Sequence, residues 1–167
     1  FVPGQKDVVS GVAGLAGAAA LALSSDGAHL YVAGQSDNGL AAFGRAVDGS
    51  LTFVEAIRTG SGGVVGLTGA GAVATSQDGG YVYATGALDD ALVVLERAAD
   101  PGDPAGFGRL SFVEVKRDGV GGVDGLFGAG AIAVSADDLS VYTTGGLESA
   151  VTAFARDLTA PTDPVVE

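Results

Sequence analysis

Short apolar runs alternate with turn residues along most of the chain. Ala18–Ser24 leads through Ser24-x-Asp26-Gly27 into His29–Ala33, where Leu30 and Tyr31 face opposite ways. The same order returns at Ala70–Ser76 with Tyr81–Thr85, and at Ala129–Ser135 with Ser140–Thr144. A third run follows each time, at Leu40–Arg45, Leu92–Arg97 and Val151–Arg156. A fourth follows twice, at Leu51–Arg58 and Leu110–Arg117, marked by Phe53-Val54-Glu55 and Phe112-Val113-Glu114. Short runs bounded by Ser, Asp and Gly predict strands joined by tight hairpins. In the second run both faces are apolar, which predicts a sheet covered on both sides.

Each group opens on the same words: Gly14-Leu15-Ala16-Gly17-Ala18, Gly66-Leu67-Thr68-Gly69-Ala70 and Gly125-Leu126-Phe127-Gly128-Ala129. A repeat of roughly 40–55 residues made of short strands predicts propeller blades. The fold class expected is all-β: a propeller segment of three four-stranded blades, either a partial ring or half of a six-bladed ring formed by two chains. Ala20, Ala22, Ala72, Ala74, Ala131 and Ala133 are small, as strands crowded around a central axis require. The expected frame assigns 1–7 to an outer strand completing another blade, with Phe1-Val2-Pro3 in the register of Phe53. Residues 8–60 form blade 1, 61–119 blade 2, and 120–158 a blade 3 lacking its outer strand. Residues 159–167 form a terminal loop. Such an arc exposes two apolar faces and unpaired edges. Phe1, Val2, Val151 and Phe154 are the candidate assembly residues. The expected partner is a second copy joined head to tail, or the remaining blades of a longer chain.

Composition narrows the function classes. The 167 residues carry a net charge of −12, which argues against nucleic acid as a partner, because phosphate binding needs clustered Lys and Arg. No cysteine is present, so disulfide frameworks and thiolate metal sites are excluded. Val8–Ser25 is free of charge except at its flanks and resembles a signal-peptide core. Val64–Ser76 and Val123–Ser135 have the same glycine-rich character inside the chain, so a repeat element is expected there and no membrane span.

The order Gly-Leu-x-Gly-Ala, Ser-x-Asp-Gly, a Tyr-containing strand, Phe-x-Arg and Leu-x-Phe-Val-Glu resembles bacterial lactonase-like propellers with YVTN-type repeats. Tyr31-Val32-Ala33-Gly34, Tyr83-Ala84-Thr85-Gly86 and Tyr142-Thr143-Thr144-Gly145 stand where that motif falls. The resemblance extends to about Asp157. It implies a propeller fold, shared by seven-bladed 6-phosphogluconolactonase-like enzymes and by extracellular or surface proteins without a known reaction. No catalytic motif of those enzymes matches here residue by residue.

Candidate chemistry is sparse. His29 is the single histidine, no Gly-x-Ser-x-Gly elbow exists, and a surface position on a strand end is expected for it. Asp26, Asp78 and Asp137 are expected to cap turns. Arg45, Arg97 and Arg156 are expected to bridge neighbouring blades or lie in solvent. The candidate metal or ligand rim comprises Asp7, Asp118 and Asp124 from the connections between blades, and Asp37, Asp89, Asp90 and Glu148 from the second-to-third loops. Asp37, Asp89 and Glu148 share one aligned slot. No cofactor is required by the pattern; calcium is the cation an acidic oxygen-donor rim suits. The Pro101–Phe107 insertion is expected to be a simple long loop, with Phe107 covering a blade edge as the alternative. The leading expectation is a non-catalytic binding or assembly module, extracellular, periplasmic or on a cell surface. The alternative is a lactonase-type hydrolase active only as a complete ring, or an excised propeller fragment.

Overall fold

The computed structural model of the protein describes residues 4–9, 11–103 and 106–157. Among them every regular element is a strand. The first sheet is β1 (Ala18–Leu23), β2 (His29–Gly34), β3 (Gly39–Arg45) and β4 (Leu51–Arg58). The second is β5 (Ala70–Thr75), β6 (Tyr81–Gly86), β7 (Ala91–Arg97) and β8 (Leu110–Arg117). The third is β9 (Ala129–Val134), β10 (Ser140–Gly145) and β11 (Ala150–Ala155). Each sheet is an antiparallel meander in sequence order, with four, four and three strands. Strand bounds agree with the sequence-based expectations to within one residue. Phe1, Val2 and the loop 159–167 lie outside the described residues.

The turns form for the reasons their residues suggest. Ser24 Oγ donates to Asp26 Oδ1, which also accepts from Ala28 N at 2.9 Å; Ser76/Asp78/Gly80 and Ser135/Asp137/Leu139 repeat this. The glycines at the strand ends have a different cause. A Cβ on Gly34 would lie 2.2 Å from the carbonyl oxygen of Gly14, and one on Gly86 2.0 Å from that of Gly66. The Gly-Leu-x-Gly-Ala segment thus runs directly over the end of the second strand, and only glycine permits that approach.

The sheets stack face to face. Tyr31 and Leu40 of the first meet Val82, Val93 and Leu95 of the second. Tyr83, Leu92 and Val94 of the second meet Val141 and Phe154 of the third. Each such fully buried Leu or Val contributes about 1.5–3 kcal/mol. The innermost strands β1, β5 and β9 lie side by side, and their alanines allow that closeness. Among the described residues the stack leaves two faces uncovered. Leu21 is 65% exposed on one, and Val151 is 72% exposed on the other.

Phe154 does not join Val151 on the open face. It is buried against the second sheet, because positions three apart along a strand point to opposite sides. No helix among the described residues is long and apolar enough to cross a membrane.

Candidate functional site

One rim gathers the connections between sheets and the second-to-third strand loops. Its acids mostly serve the backbone. Asp37 Oδ2 accepts from Ala16 N (3.0 Å), Asp89 Oδ2 from Thr68 N (2.9 Å) and Glu148 Oε1 from Phe127 N (2.7 Å). Asp7 accepts from Leu15 N (3.1 Å), and Asp118 Oδ1 from both Gly125 N and Leu126 N (3.0 Å each). These bonds hold each Gly-Leu-x-Gly-Ala segment in place. Asp37 also pairs with Arg58 at 3.0 Å. The shared slot therefore has a scaffold role that the spacing alone did not reveal. Asp90 crosses to the next sheet and accepts from Gly128 N (2.7 Å); Asn38, one repeat earlier, does the same for Gly69 N (2.8 Å). Asn38 aligns with Asp90 in the repeat, but as an uncharged residue it gives no signal of its own for this role.

One cluster on this rim has another capacity. Asp118, Asp124 and Glu148 bring one carboxylate oxygen each within 4.8 Å of one another. The equivalent positions are Asp7, Ala13 and Asp37 in the first repeat, and Thr59, Val65 and Asp89 in the second. Only the third repeat is acidic at all three. Calcium takes six to eight oxygen ligands, so three carboxylates would leave positions for water or a ligand oxygen. Asp37 and Asp89 join no such group among the described residues.

The opposite rim carries the buried charges. Arg97, with a side chain 1% exposed, crosses the seam between the first and second sheets. It donates through Nη2 to Asp26 Oδ2 (2.7 Å), through Nε to Tyr31 Oη (3.1 Å) and through Nη1 to Gly79 O (2.9 Å). Its Nη2 also lies 2.9 Å from His29 Nδ1, and Phe107 covers its guanidinium at 5.5 Å. Tyr31 Oη donates to Gly108 O (3.0 Å). Arg156 repeats the crossing at the next seam, donating to Asp78 Oδ2 (3.0 Å) and to Asp138 O (2.7 Å). The expectation that these arginines bridge blades holds for Arg97 and Arg156.

His29 departs from its expected surface position. It is 3% exposed, beneath the Phe107 ring at 4.4 Å. The insertion after β7 places Phe107 there, and no local signal at His29 could announce that lid. Burial and the Arg97 charge lower the His29 pKa from 6.5. Burial alone would raise Asp26, but bonds from Ser24, Ala28 and Arg97 outweigh it and hold the carboxyl at about 2. Burial pushes Tyr31 up to about 12 against the opposing Arg97 charge. Covered by Phe107 and held 2.9 Å from Arg97 Nη2, the imidazole serves as a packing element.

No protein-family model and no curated protein matches the chain. Solved structures do match its fold. A periplasmic gluconolactonase from Pseudomonas aeruginosa aligns at 25% identity and TM-score 0.67, over 88% of this chain and 37% of that one. A candidate 6-phosphogluconolactonase from Bacteroides uniformis aligns at 18% identity and TM-score 0.66, over 87% and 37%. A Lactobacillus plantarum protein aligns at 21% identity and TM-score 0.67, over 88% and 40%. The chain spans little more than a third of the propellers it matches. The radial stack of meanders, the repeats and these neighbours agree: the chain has the fold of the lactonase-like β-propellers.

Proposed function

We propose that this chain is part of a lactonase-type propeller that hydrolyses a sugar lactone once its ring is complete. The observation that carries the reading is the alignment with the periplasmic gluconolactonase over nearly nine-tenths of the chain. A lactone is a cyclic ester, and its hydrolysis needs an activated water and a polarised carbonyl. A serine–histidine route does not suit this chain, since His29 is covered and sits at the far end of β2, about 17 Å from the acidic rim at strand rise. The acidic rim supports a cation-assisted route instead. A divalent ion held by Asp118, Asp124 and Glu148 would polarise the carbonyl and lower the pKa of a bound water. The periplasmic neighbour supports a location outside the cytoplasm, in the periplasm or at the cell surface.

The test is titration of acid released from a gluconolactone by the complete ring, with calcium or with a chelator. Hydrolysis above the spontaneous rate, lost at least tenfold in Asp124→Asn and with chelator, is expected. A complete ring that leaves the spontaneous rate unchanged refutes the hydrolase. The scaffold role of the Asp37, Asp89 and Glu148 carboxylates favours a second reading, a non-catalytic binding module acting through loop rims and blade faces. It would be supported by that same negative result.

A further inference from the structure

The two seams share one crossing, from an arginine to the turn aspartate of the preceding sheet, and its unmatched halves stand on the two open faces. The arginine–tyrosine bond belongs to the first seam, since Tyr83 Oη and Arg156 Nε have no hydrogen-bond partner among the described residues. Within each seam the arginine ending a third strand first anchors on a carbonyl of its own turn. Arg97 Nη1 holds Gly79 O, and Arg156 Nη1 holds Asp138 O. Its Nη2 then reaches the turn aspartate of the preceding sheet, Asp26 or Asp78. That aspartate uses Oδ1 for its own turn and offers Oδ2 across the seam.

Arg45 is the first repeat's copy of this arginine. Its Nη1 is already anchored on Gly27 O at 3.2 Å, while the side chain is exposed on the open face of the first sheet. Asp137 is the third repeat's copy of the aspartate. Its Oδ1 takes Ser135 Oγ and Leu139 N, and no arginine among the described residues reaches its Oδ2. Tyr142 is 41% exposed, whereas its counterparts Tyr31 and Tyr83 are fully covered. On the other rim, Ser149 matches the seam-crossing Asn38 and Asp90 and is exposed, as is Gly17, the counterpart of Gly69 and Gly128.

We propose that the open face of the third sheet docks the open face of the first sheet of a second copy of this chain, head to tail. The geometry of the Arg97 seam assigns the contacts. Arg45 of one copy reaches Asp137 and Tyr142 of the other. Ser149 lies against the Gly17 N–H. The apolar faces of Val151 and Leu21 then leave water as their covered counterparts Leu92 and Val73 do. Both halves of the charge pair are present on one chain and preset by their own turns, so a second copy is complementary without rearrangement. The contact is heterologous, so it joins copies head to tail and makes a ring where the rotation between copies closes. The inference holds whatever a completed ring does, and its readout is mass, not hydrolysis.

The experiment is sedimentation of the chain over a range of micromolar concentrations. An average mass of twice 16.2 kDa or more is expected at the upper end. Arg45→Glu alone and Asp137→Arg alone should each weaken association at least tenfold, since each sets like charges across the seam. Mixed in equal amounts they should associate again, because every seam in the mixture then pairs opposite charges. Asp137→Asn, which keeps the turn acceptor, should weaken association at least threefold and serves if Asp137→Arg does not fold. A mass of one chain at all concentrations overturns the proposal. So does association that Arg45→Glu leaves unchanged, or two folded single variants that do not associate when mixed.

Discussion

Replacing Asp26 by Asn tests whether the Arg97 charge depends on its partner across the seam. Asn keeps an acceptor for Ser24 and Ala28, so the turn survives, while the anionic charge and the Oδ2 acceptor facing Arg97 Nη2 are lost and an NH2 donor takes that place. The guanidinium remains buried with Gly79 O, Tyr31 Oη and His29 Nδ1. Removing one partner of a fully buried ion pair costs about 3–5 kcal/mol. Asp26 is 43% exposed, so water already screens the pair and the expected cost falls to about 2 kcal/mol. For a chain of this size that lowers Tm by roughly 4–8 °C. Equilibrium unfolding in urea, on dilute protein, reads it. In an Arg97→Met background the same Asp26→Asn change should cost less by at least about 1 kcal/mol, because no buried charge is left to strand. Asp137→Asn is the internal control. It changes the same turn position without a described cross-seam arginine, and should leave the urea midpoint nearly unchanged. The wild-type pair adds a pH signature. Folding depresses the Asp26 pKa from 3.8 to about 2, so its stabilisation is full above pH 4 and disappears as pH falls through 2. Equal costs for Asp26→Asn in the two backgrounds would refute the reasoning.

Two further predictions concern covered groups. Folding lowers the His29 pKa below 6.5, so the unfolded chain takes up the proton first. Stability should fall as pH drops below 6.5 and be flat above 7; His29→Gln should remove that part of the slope in urea midpoints between pH 7.5 and pH 5. A Gly86→Ala side chain would sit 2.0 Å from a backbone oxygen, and should cost about 3 kcal/mol or more. Gly60→Ala meets nothing within 4 Å and should cost only the positive-φ strain of about 1–2 kcal/mol. Similar unfolding midpoints for the two glycine variants would contradict the close-approach account.

The repeat made the architecture legible because blades are local objects. A strand of alternating apolar residues, a Ser-x-Asp-Gly turn and the next strand form within some 15 residues of one another, so the pattern for each sheet lies contiguously in the chain. The period also indicated which positions are equivalent, and hence that Arg97 and Arg156 do one job. What the chain order could not express is the third dimension of the seam. His29 reads as a strand-end residue until Phe107, far along the sequence, closes over it. Asp118, Asp124 and Glu148 belong to a connection and a loop whose meeting depends on how the third sheet follows the second. Phe154 and Val151 look equally fit for an open face, and only the direction of the stack buries one and exposes the other. Sequence periodicity sets what each sheet is made of, because strand and turn formation are short-range. Burial, pairing of charges and the free faces belong to the stacking of sheets, because those energies arise only where distant segments exclude water together.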